Sequence, residues 1–156
     1  KLEFYSNDEI QKIITRSAKI LGIDLEKTAG EEISKRSRYT PRTANYFLKR
    51  CRDFAQVHKT SLSKKSVDEA LKLLGIDTVG LSPSDREILN TVINKFAGGP
   101  VGLNTLAAAL SEEQATIEEF NEPYLIQLGF LERTSRGRTV TASGYEHLGL
   151  TPKTLL

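Results

Sequence analysis

"FLERTSRGRTVTA", residues 130–142, is the stretch that decides the fold of the second half of this chain. The runs FLERT and RTVTA depart from the helical spacing of the preceding sequence, and they flank the tripeptide SRG. Two short runs around a Gly-containing turn predict a strand, a tight turn and a returning strand. The neighbouring sequence therefore has to be interpreted around a β-hairpin.

Three predicted helices precede the hairpin. The first begins at Pro83, runs to about Phe96 and stops in the segment GGPVG, residues 98–102. The run LNTLAAAL, residues 103–110, predicts a short second helix, and residues 114–128 predict a longer third one. Three helices followed by a hairpin are the order of a winged helix-turn-helix domain.

The first half of the chain predicts four helices that pack as a small bundle. Ser6 and Glu9 have the spacing of a capping box at the start of the first helix, and Thr28 and Glu31 repeat it for the second. The third helix follows Thr40 with Pro41 at its first position, and the fourth runs from Ser63 through Leu74. The third helix carries an apolar stripe at helical spacing: Ala44, Phe47, Leu48, Cys51, Phe54 and Ala55.

A break in the helical pattern divides the chain. The segment GIDTVGLSP, residues 75–83, predicts a boundary between domains at 1–77 and 78–156. Residues 1–78 hold 16 Lys and Arg against 11 Asp and Glu, a net charge of +5, whereas residues 79–156 hold 6 against 9, a net charge of −3. Any attraction to nucleic acid must therefore come from local patches.

The composition indicates a soluble globular protein, with 38% hydrophobic and 27% charged residues. The chain has no long apolar run, so we expect no membrane contact and a cytoplasmic location. The single cysteine, Cys51, predicts a buried reduced thiol. His58 and His147 stand far apart without ligand neighbours, so no metal site is expected. The absence of Met suggests a piece of a longer product.

No catalytic residue set is complete in this sequence. The segment GGPVG lacks the Lys and Ser/Thr of a phosphate-binding loop, and no Ser, His and Asp fall in an order typical of a hydrolase triad. We expect the chain alone to be enzymatically inactive.

The segment SRYTPRTANYF, residues 37–47, places a cation at a helix start. The N-terminus of a helix carries partial positive charge, so Arg42 is unfavourable there unless an anion such as a phosphate lies in front of it. At 100° per residue, Arg42 and Lys49 point away from the apolar stripe of their helix. The pattern is also typical of an ordinary solvated face.

The predicted hairpin carries Arg133, Arg136 and Arg138 around its turn. Such a cationic tip can reach backbone phosphates or the minor groove without reading sequence. The same charges are also typical of a turn in which they serve only to keep the protein soluble.

The predicted helix directly before the hairpin, residues 114–128, carries no Lys or Arg but three carboxylates that phosphates would repel, and Pro123 should interrupt or kink it. Sequence-specific readout by that helix is not expected. The three carboxylates are Glu118, Glu119 and Glu122.

Across nearly its whole length the sequence resembles one known family. In order, the segments RSAKILGI, TPRTAN, RDFA, KFAGGPVGLNTLAAAL, TIEE, EPYLIQLGFLERT and RGR are similar to the part of the RuvB family, the bacterial Holliday-junction branch-migration motors, that follows the nucleotide-binding domain. The resemblance implies a four-helix AAA+ lid bundle followed by a winged-helix domain with a β-hairpin wing, a mainly α fold.

The resemblance also implies functions for particular residues. Arg42 falls on the sensor-2 position, which reaches the γ-phosphate of ATP, and Pro41 lies near the base. The wing arginines Arg133, Arg136 and Arg138 fall on the DNA-contacting hairpin. ATP with Mg is bound mainly by a core domain missing from this chain, so we expect no tightly bound cofactor. In the family six subunits surround duplex DNA, and the partner RuvA binds the core.

Three positions depart from the family pattern. Tyr46 stands where Arg is common, Tyr39 where Gly is, and Ser135 where Pro precedes Arg-Gly-Arg. The first departure weakens a subunit or nucleotide contact if that contact exists here, and the last makes the wing tip less rigid.

Two other hypotheses remain open at this point. The chain could be a stand-alone winged-helix transcription regulator whose helical half dimerises, although the acidic third helix argues against operator readout. It could also be a protein-docking module in which Glu118, Glu119 and Glu122 meet a basic partner.

Overall fold

A computed structural model describes residues 3–152 of the chain, which divides into two compact units, Lys1–Ser82 and Pro83–Leu156. The outermost residues of the two predicted domains, 1–2 and 153–156, lie outside the described residues. Among residues 3–152, no helix is long and apolar enough to cross a membrane, and no cluster of His, Cys, Asp or Glu could hold a metal ion.

The first unit is a bundle of four helices: α1 (Asn7–Ile20), α2 (Lys27–Arg36), α3 (Pro41–His58) and α4 (Lys64–Leu73). Their apolar faces enclose one core, which is centred on the stripe of α3 and completed by α1, α2 and α4. The buried members are Ile10, Ile14, Ala18, Ala29, Ile33, Ala44, Phe47, Leu48, Cys51, Ala55, Leu62, Val67, Ala70 and Leu71.

Three of the four predicted helix starts are confirmed. The Ser6 hydroxyl accepts from the Glu9 N–H at 3.2 Å, and the Ser6 N–H donates to the Glu9 carboxylate at 2.8 Å. Ser63 caps α4, and Thr40 precedes Pro41 at the start of α3.

The predicted cap of α2 is wrong. Thr28 lies inside this helix, whose N-cap is Glu26. A parallel bridge between Leu25 and Leu62, with the Glu26 N–H donating to the Leu62 carbonyl at 3.4 Å, fixes where the chain enters the helix. This contact is distant in sequence and outweighs the local capping preference of Thr28.

The second unit is a winged helix. It contains α5 (Pro83–Phe96), α6 (Leu103–Leu110), α7 (Gln114–Thr116), a π-helical turn (Ile117–Asn121), α8 (Glu122–Gln127), β1 (Leu131–Thr134), β2 (Gly137–Val140) and α9 (Ala142–His147). The predicted mainly α fold, a four-helix bundle followed by a winged-helix domain with a β-hairpin wing, is therefore confirmed. The short helix α9 was not predicted: Thr141 caps it by accepting from the Gly144 N–H at 3.1 Å.

Pro123 interrupts the third helix of this unit, as the sequence predicted. Proline has no N–H to donate to the carbonyl of Glu119, and its ring crowds that carbonyl. The helix responds with the π-helical turn Ile117–Asn121 directly before Pro123. We refer to α7, this turn and α8 together as the third helix.

The thiol of Cys51 is buried in the first core, as predicted. Burial raises the pKa of Cys51 to about 12, and the charge of Arg36 only partly opposes this rise. The folded pKa lies above that of an exposed thiol, so the side chain stays neutral and unreactive at pH 8, where an unfolded chain already forms some thiolate.

We therefore expect the native chain to react with a colorimetric thiol reagent at pH 8 at least about a hundredfold more slowly than the urea-unfolded chain, because reaction requires opening of the core. The unfolded chain is the control for a complete reaction. Rapid stoichiometric labelling of the native chain would contradict the buried position of Cys51.

Candidate functional site

Arg42 lies in the first turn of α3, and its side chain is exposed. The first turn contains no acidic residue, and among residues 3–152 Arg42 makes no hydrogen bond or ion pair. A cation beside the positive end of a helix dipole, without a counter-ion, favours an external anion at this place. Pro41 precedes it and is partly buried.

The chain before α3 is locally strained. Arg38 and Tyr39 both adopt left-handed conformations, with φ of 57° and 55°, and Thr40 then returns to extended backbone. A left-handed residue other than Gly costs about 1–3 kcal/mol. This geometry accounts for the Gly of the family pattern at position 39, because Gly would be unstrained there, and it makes Tyr39 the more strained residue.

The remaining cations on the exposed side of α3 fall into two groups. Arg50 and Arg52 both pair with Asp53, at 2.8 and 2.9 Å. Arg50 also lies over the ring of Tyr46, 5.8 Å from its centroid. Lys49 is exposed and, in the described part of the chain, has no such partner. Arg42 and Lys49 are therefore the cations of this face that are available to a ligand.

The wing has a two-residue turn. In the register of the hairpin, Thr134 pairs with Gly137 and Arg133 pairs with Arg138, which leaves Ser135 and Arg136 as the turn. The Thr134 hydroxyl donates to the Gly137 carbonyl at 2.9 Å and accepts from the Arg136 N–H at 3.2 Å. These bonds hold the turn backbone although Ser135 replaces the Pro of the family pattern.

The three wing arginines differ in exposure, so they do not form a tip of three equally exposed cations, and their contact with DNA stays a prediction. The Arg136 side chain is exposed at the turn and has no ion pair within residues 3–152. Arg133 is half exposed and pairs with Glu118. Arg138 is only 9% exposed, and in this conformation its guanidinium is turned away from solvent.

Arg138 forms a buried two-point ion pair with Glu122. Its Nε donates to Glu122 Oε1 at 3.0 Å and its Nη2 donates to Oε2 at 3.1 Å, and the carboxylate side chain is 2% exposed. This parallel geometry is the strongest form of an Arg–carboxylate contact. The pair joins β2 to the start of α8 and so fixes the base of the wing.

Two of the three carboxylates of the third helix pair with wing arginines. Glu118 and Glu122 serve as counter-ions of Arg133 and Arg138, whereas Glu119 is exposed without an ion pair in the described part of the chain. A signal for this was present in the sequence. Two arginines directly opposite across a hairpin repel one another and require nearby anions.

The segment GGPVG also has a structural role that its sequence did not indicate. Val101 forms an antiparallel bridge with Arg138, exchanging backbone hydrogen bonds of 3.0 and 2.8 Å, and so continues the sheet beside β2. Gly99 (φ 100°) lies so close to β2 that a Cβ there would come 2.3 Å from the Arg138 carbonyl oxygen. Gly137 faces Val101 equally closely. The glycines thus allow backbone to pack on backbone.

Comparison with known proteins identifies the family. Residues 5–77 match the RuvB AAA lid domain, and residues 78–149 match the RuvB C-terminal winged helix domain. The chain belongs to the RuvB family. The fold and the resemblance predicted from the sequence are both confirmed by these matches.

Individual relatives agree with this assignment. The chain is 52% identical over 156 residues to the Holliday junction branch migration complex subunit RuvB of Treponema denticola, a match that covers 99% of this chain and 46% of that relative. The solved Thermotoga maritima RuvB Holliday junction branch migration motor superposes with a TM-score of 0.93 at 47% identity, covering 96% of this chain and 50% of the other. A mutant of the Thermotoga protein gives the same values. The chain thus spans about half the length of these relatives.

We expect Glu122→Gln to lower the free energy of unfolding of the winged-helix unit by about 3 kcal/mol, because it leaves the buried Arg138 charge without its counter-ion. Urea denaturation followed by circular dichroism measures the loss. Glu119→Gln removes the same charge from the same helix and should change stability by less than about 0.5 kcal/mol. Equal losses of stability in the two variants would show that the buried pair does not stabilise the winged-helix unit.

Proposed function

We propose that this chain is the lid and winged-helix portion of an ATP-dependent motor that drives Holliday junction branch migration in the cytoplasm. The observation that carries the proposal is the family match, which extends over both units and includes solved motor structures at a TM-score of 0.93. The hypotheses of a stand-alone regulator and of a docking module receive no support from these comparisons.

In this proposal the ATPase core is a separate domain. The relatives are about twice as long as this chain, and the family resemblance assigns the phosphate-binding loop, most of the ATP and Mg contacts and the RuvA-binding surface to that core. Six subunits then assemble around duplex DNA. We expect the lid and winged helix alone to hydrolyse no ATP, because the family resemblance assigns the phosphate-binding loop to the core.

Arg42 is the nucleotide sensor of the proposed mechanism. Its exposed side chain at the start of α3 reaches toward the γ-phosphate, and Pro41 approaches the base. Hydrolysis removes the γ-phosphate and with it the contact, so the lid changes its position relative to the core. The absence of an ion-pair partner within the described residues supports this assignment, since a paired Arg would first have to be released.

Arg136 is the main DNA contact of the proposed mechanism, with Arg133 as a second one. Arg136 is exposed at the turn of the wing, on a backbone held by Thr134. A cation at the end of a narrow hairpin suits backbone phosphates or the minor groove, and such contacts carry little sequence information. Arg138 positions the wing through Glu122.

We expect the chain to bind four-way junctions and linear duplexes at low salt without sequence preference, with a log–log salt slope near −2 for about two phosphate contacts. Arg136→Ala should weaken binding about tenfold at 50 mM salt and reduce the slope by about 0.9. Fluorescence anisotropy across a salt series measures both quantities.

Two substitutions serve as controls for this experiment. Arg136→Lys retains the charge and should retain the slope, whereas Lys95→Ala removes one exposed charge from α5, outside the hairpin, and should leave binding nearly unchanged. A preference of more than about 1–3 kcal/mol for one duplex sequence would instead favour a regulator. Equal binding by Arg136→Ala and the unchanged chain would contradict the wing contact.

We expect ATP to bind the isolated chain only with millimolar affinity, because one Arg and a helix end supply a small part of a triphosphate site. NMR titration with ATP should shift amide signals at the start of α3, and Arg42→Ala should abolish these shifts. Arg50→Ala removes a paired arginine of the same helix and should preserve them. Micromolar affinity in calorimetry, or full retention of the shifts in Arg42→Ala, would contradict the assignment.

A further inference from the structure

The two ion pairs beneath the wing differ in their access to solvent. The Glu122–Arg138 pair is almost fully buried, with side-chain exposures of 2% and 9%. The Glu118–Arg133 pair lies closer to the surface, with exposures of 45% and 50%. A buried pair is costly to break because a desolvated charge is left behind, whereas an exposed pair exchanges readily with other ions. The outer pair can therefore open while the inner one stays closed.

Glu118 is placed where it affects both arginines of the hairpin base. One of its oxygens pairs with Arg133 and lies 3.9 Å from Arg138 Nη2. Arg133 has a second anion available, since its Nε lies 3.5 Å from Glu122 Oε1. If the Glu118 contact is lost, Glu122 therefore still orients Arg133 through its Nε, and the Nη2 of Arg133 becomes available to another acceptor. A phosphate oxygen is an acceptor of this kind.

We propose that Glu118 is an internal competitor of DNA: it occupies Arg133 in the unbound chain, and a backbone phosphate replaces it when the wing docks. This inference rests on the proposed DNA contact of the wing and adds its regulation. Glu118 thereby weakens binding in two ways, by holding a phosphate-binding side chain and by placing a negative charge close to the incoming strand. Arg136, at the turn, makes the first contact, and Arg133 joins once Glu118 is displaced.

The test compares Glu118→Gln with Glu119→Gln on a linear duplex by fluorescence anisotropy from 50 to 200 mM salt. Both substitutions remove one negative charge from adjacent exposed positions of the third helix, but only Glu118 holds an arginine. We expect Glu118→Gln to bind at least threefold more tightly than Glu119→Gln at 50 mM salt. Its log–log salt slope should equal that of Glu119→Gln, because Arg133 contacts one phosphate in both complexes and only the cost of displacing Glu118 differs.

A third variant shows that the gain passes through Arg133. In Glu118→Gln/Arg133→Ala the gain over Glu119→Gln should disappear, because the released cation is absent. Melting temperatures of all variants, followed by circular dichroism, confirm that the winged helix is folded before binding is compared. Since Glu122 still pairs with Arg138 in every variant, folding should be retained.

The outcomes separate this inference from the function on which it rests. Equal affinities for Glu118→Gln and Glu119→Gln would overturn the competitor role, while weaker binding by Arg136→Ala would leave the wing contact standing. Retention of the gain in Glu118→Gln/Arg133→Ala would also overturn it. If no variant binds duplex at 50 mM salt, both the competitor role and the wing contact of this chain are wrong.

Discussion

The buried contact between Arg138 and Glu122 is the constraint on which the arrangement of the wing depends. Both charges lie out of water, so they must remain paired, and the two-point geometry fixes both the distance and the rotation between β2 and α8. The backbone of Arg138 is bound at the same time by Val101. One residue thus ties together a strand, a helix and the GGPVG segment, and the turn of the hairpin extends from this base.

The lid unit uses a buried arginine in a similar way. Arg36 pairs with Glu32 of its own helix at 2.9 Å and with Asp68 of α4, so α2 and α4 are joined close to the strained turn that leads into α3. In each unit one arginine is enclosed by carboxylates and holds the structure, and another, Arg42 or Arg136, is exposed without an ion pair in the described residues. The buried arginines position the elements, and the exposed Arg42 and Arg136 are the ones that we propose for ligands.

Periodicity and capping were sufficient to predict most of the fold. The stripe of α3, the caps at Ser6 and Ser63, and the break at Pro123 are local properties, so they are visible in a single sequence. The start of α2 was missed because a bridge between Leu25 and Leu62 determines it. Helix α9 was missed because it is short and contains Gly144, a poor helix former. A Cβ at Gly144 would come 2.5 Å from the Phe130 carbonyl oxygen, so packing explains that glycine.

The candidate sites were predicted less completely than the fold. The exposed position of Arg42 followed from the angle between its side chain and the apolar stripe, which is again a local property. The pairing of Glu118 and Glu122 with the wing arginines joins residues about 15 positions apart through tertiary structure, as the ion pairs of Arg133 and Arg138 show. Composition alone treats the three arginines as equivalent, whereas in the structure Arg136 is exposed, Arg133 pairs at the surface and Arg138 is buried.

The bridge at Val101 has a mechanical consequence. Because β2 has hydrogen-bonded neighbours on both sides, β1 on one and the GGPVG segment on the other, a pull on the tip of the hairpin is shared by two sets of backbone bonds. If β2 were bonded to β1 alone, the same pull would break its backbone hydrogen bonds one after another. A force applied at the turn is instead transmitted through the GGPVG segment to the end of α5, so the wing can transmit force as a stiff element.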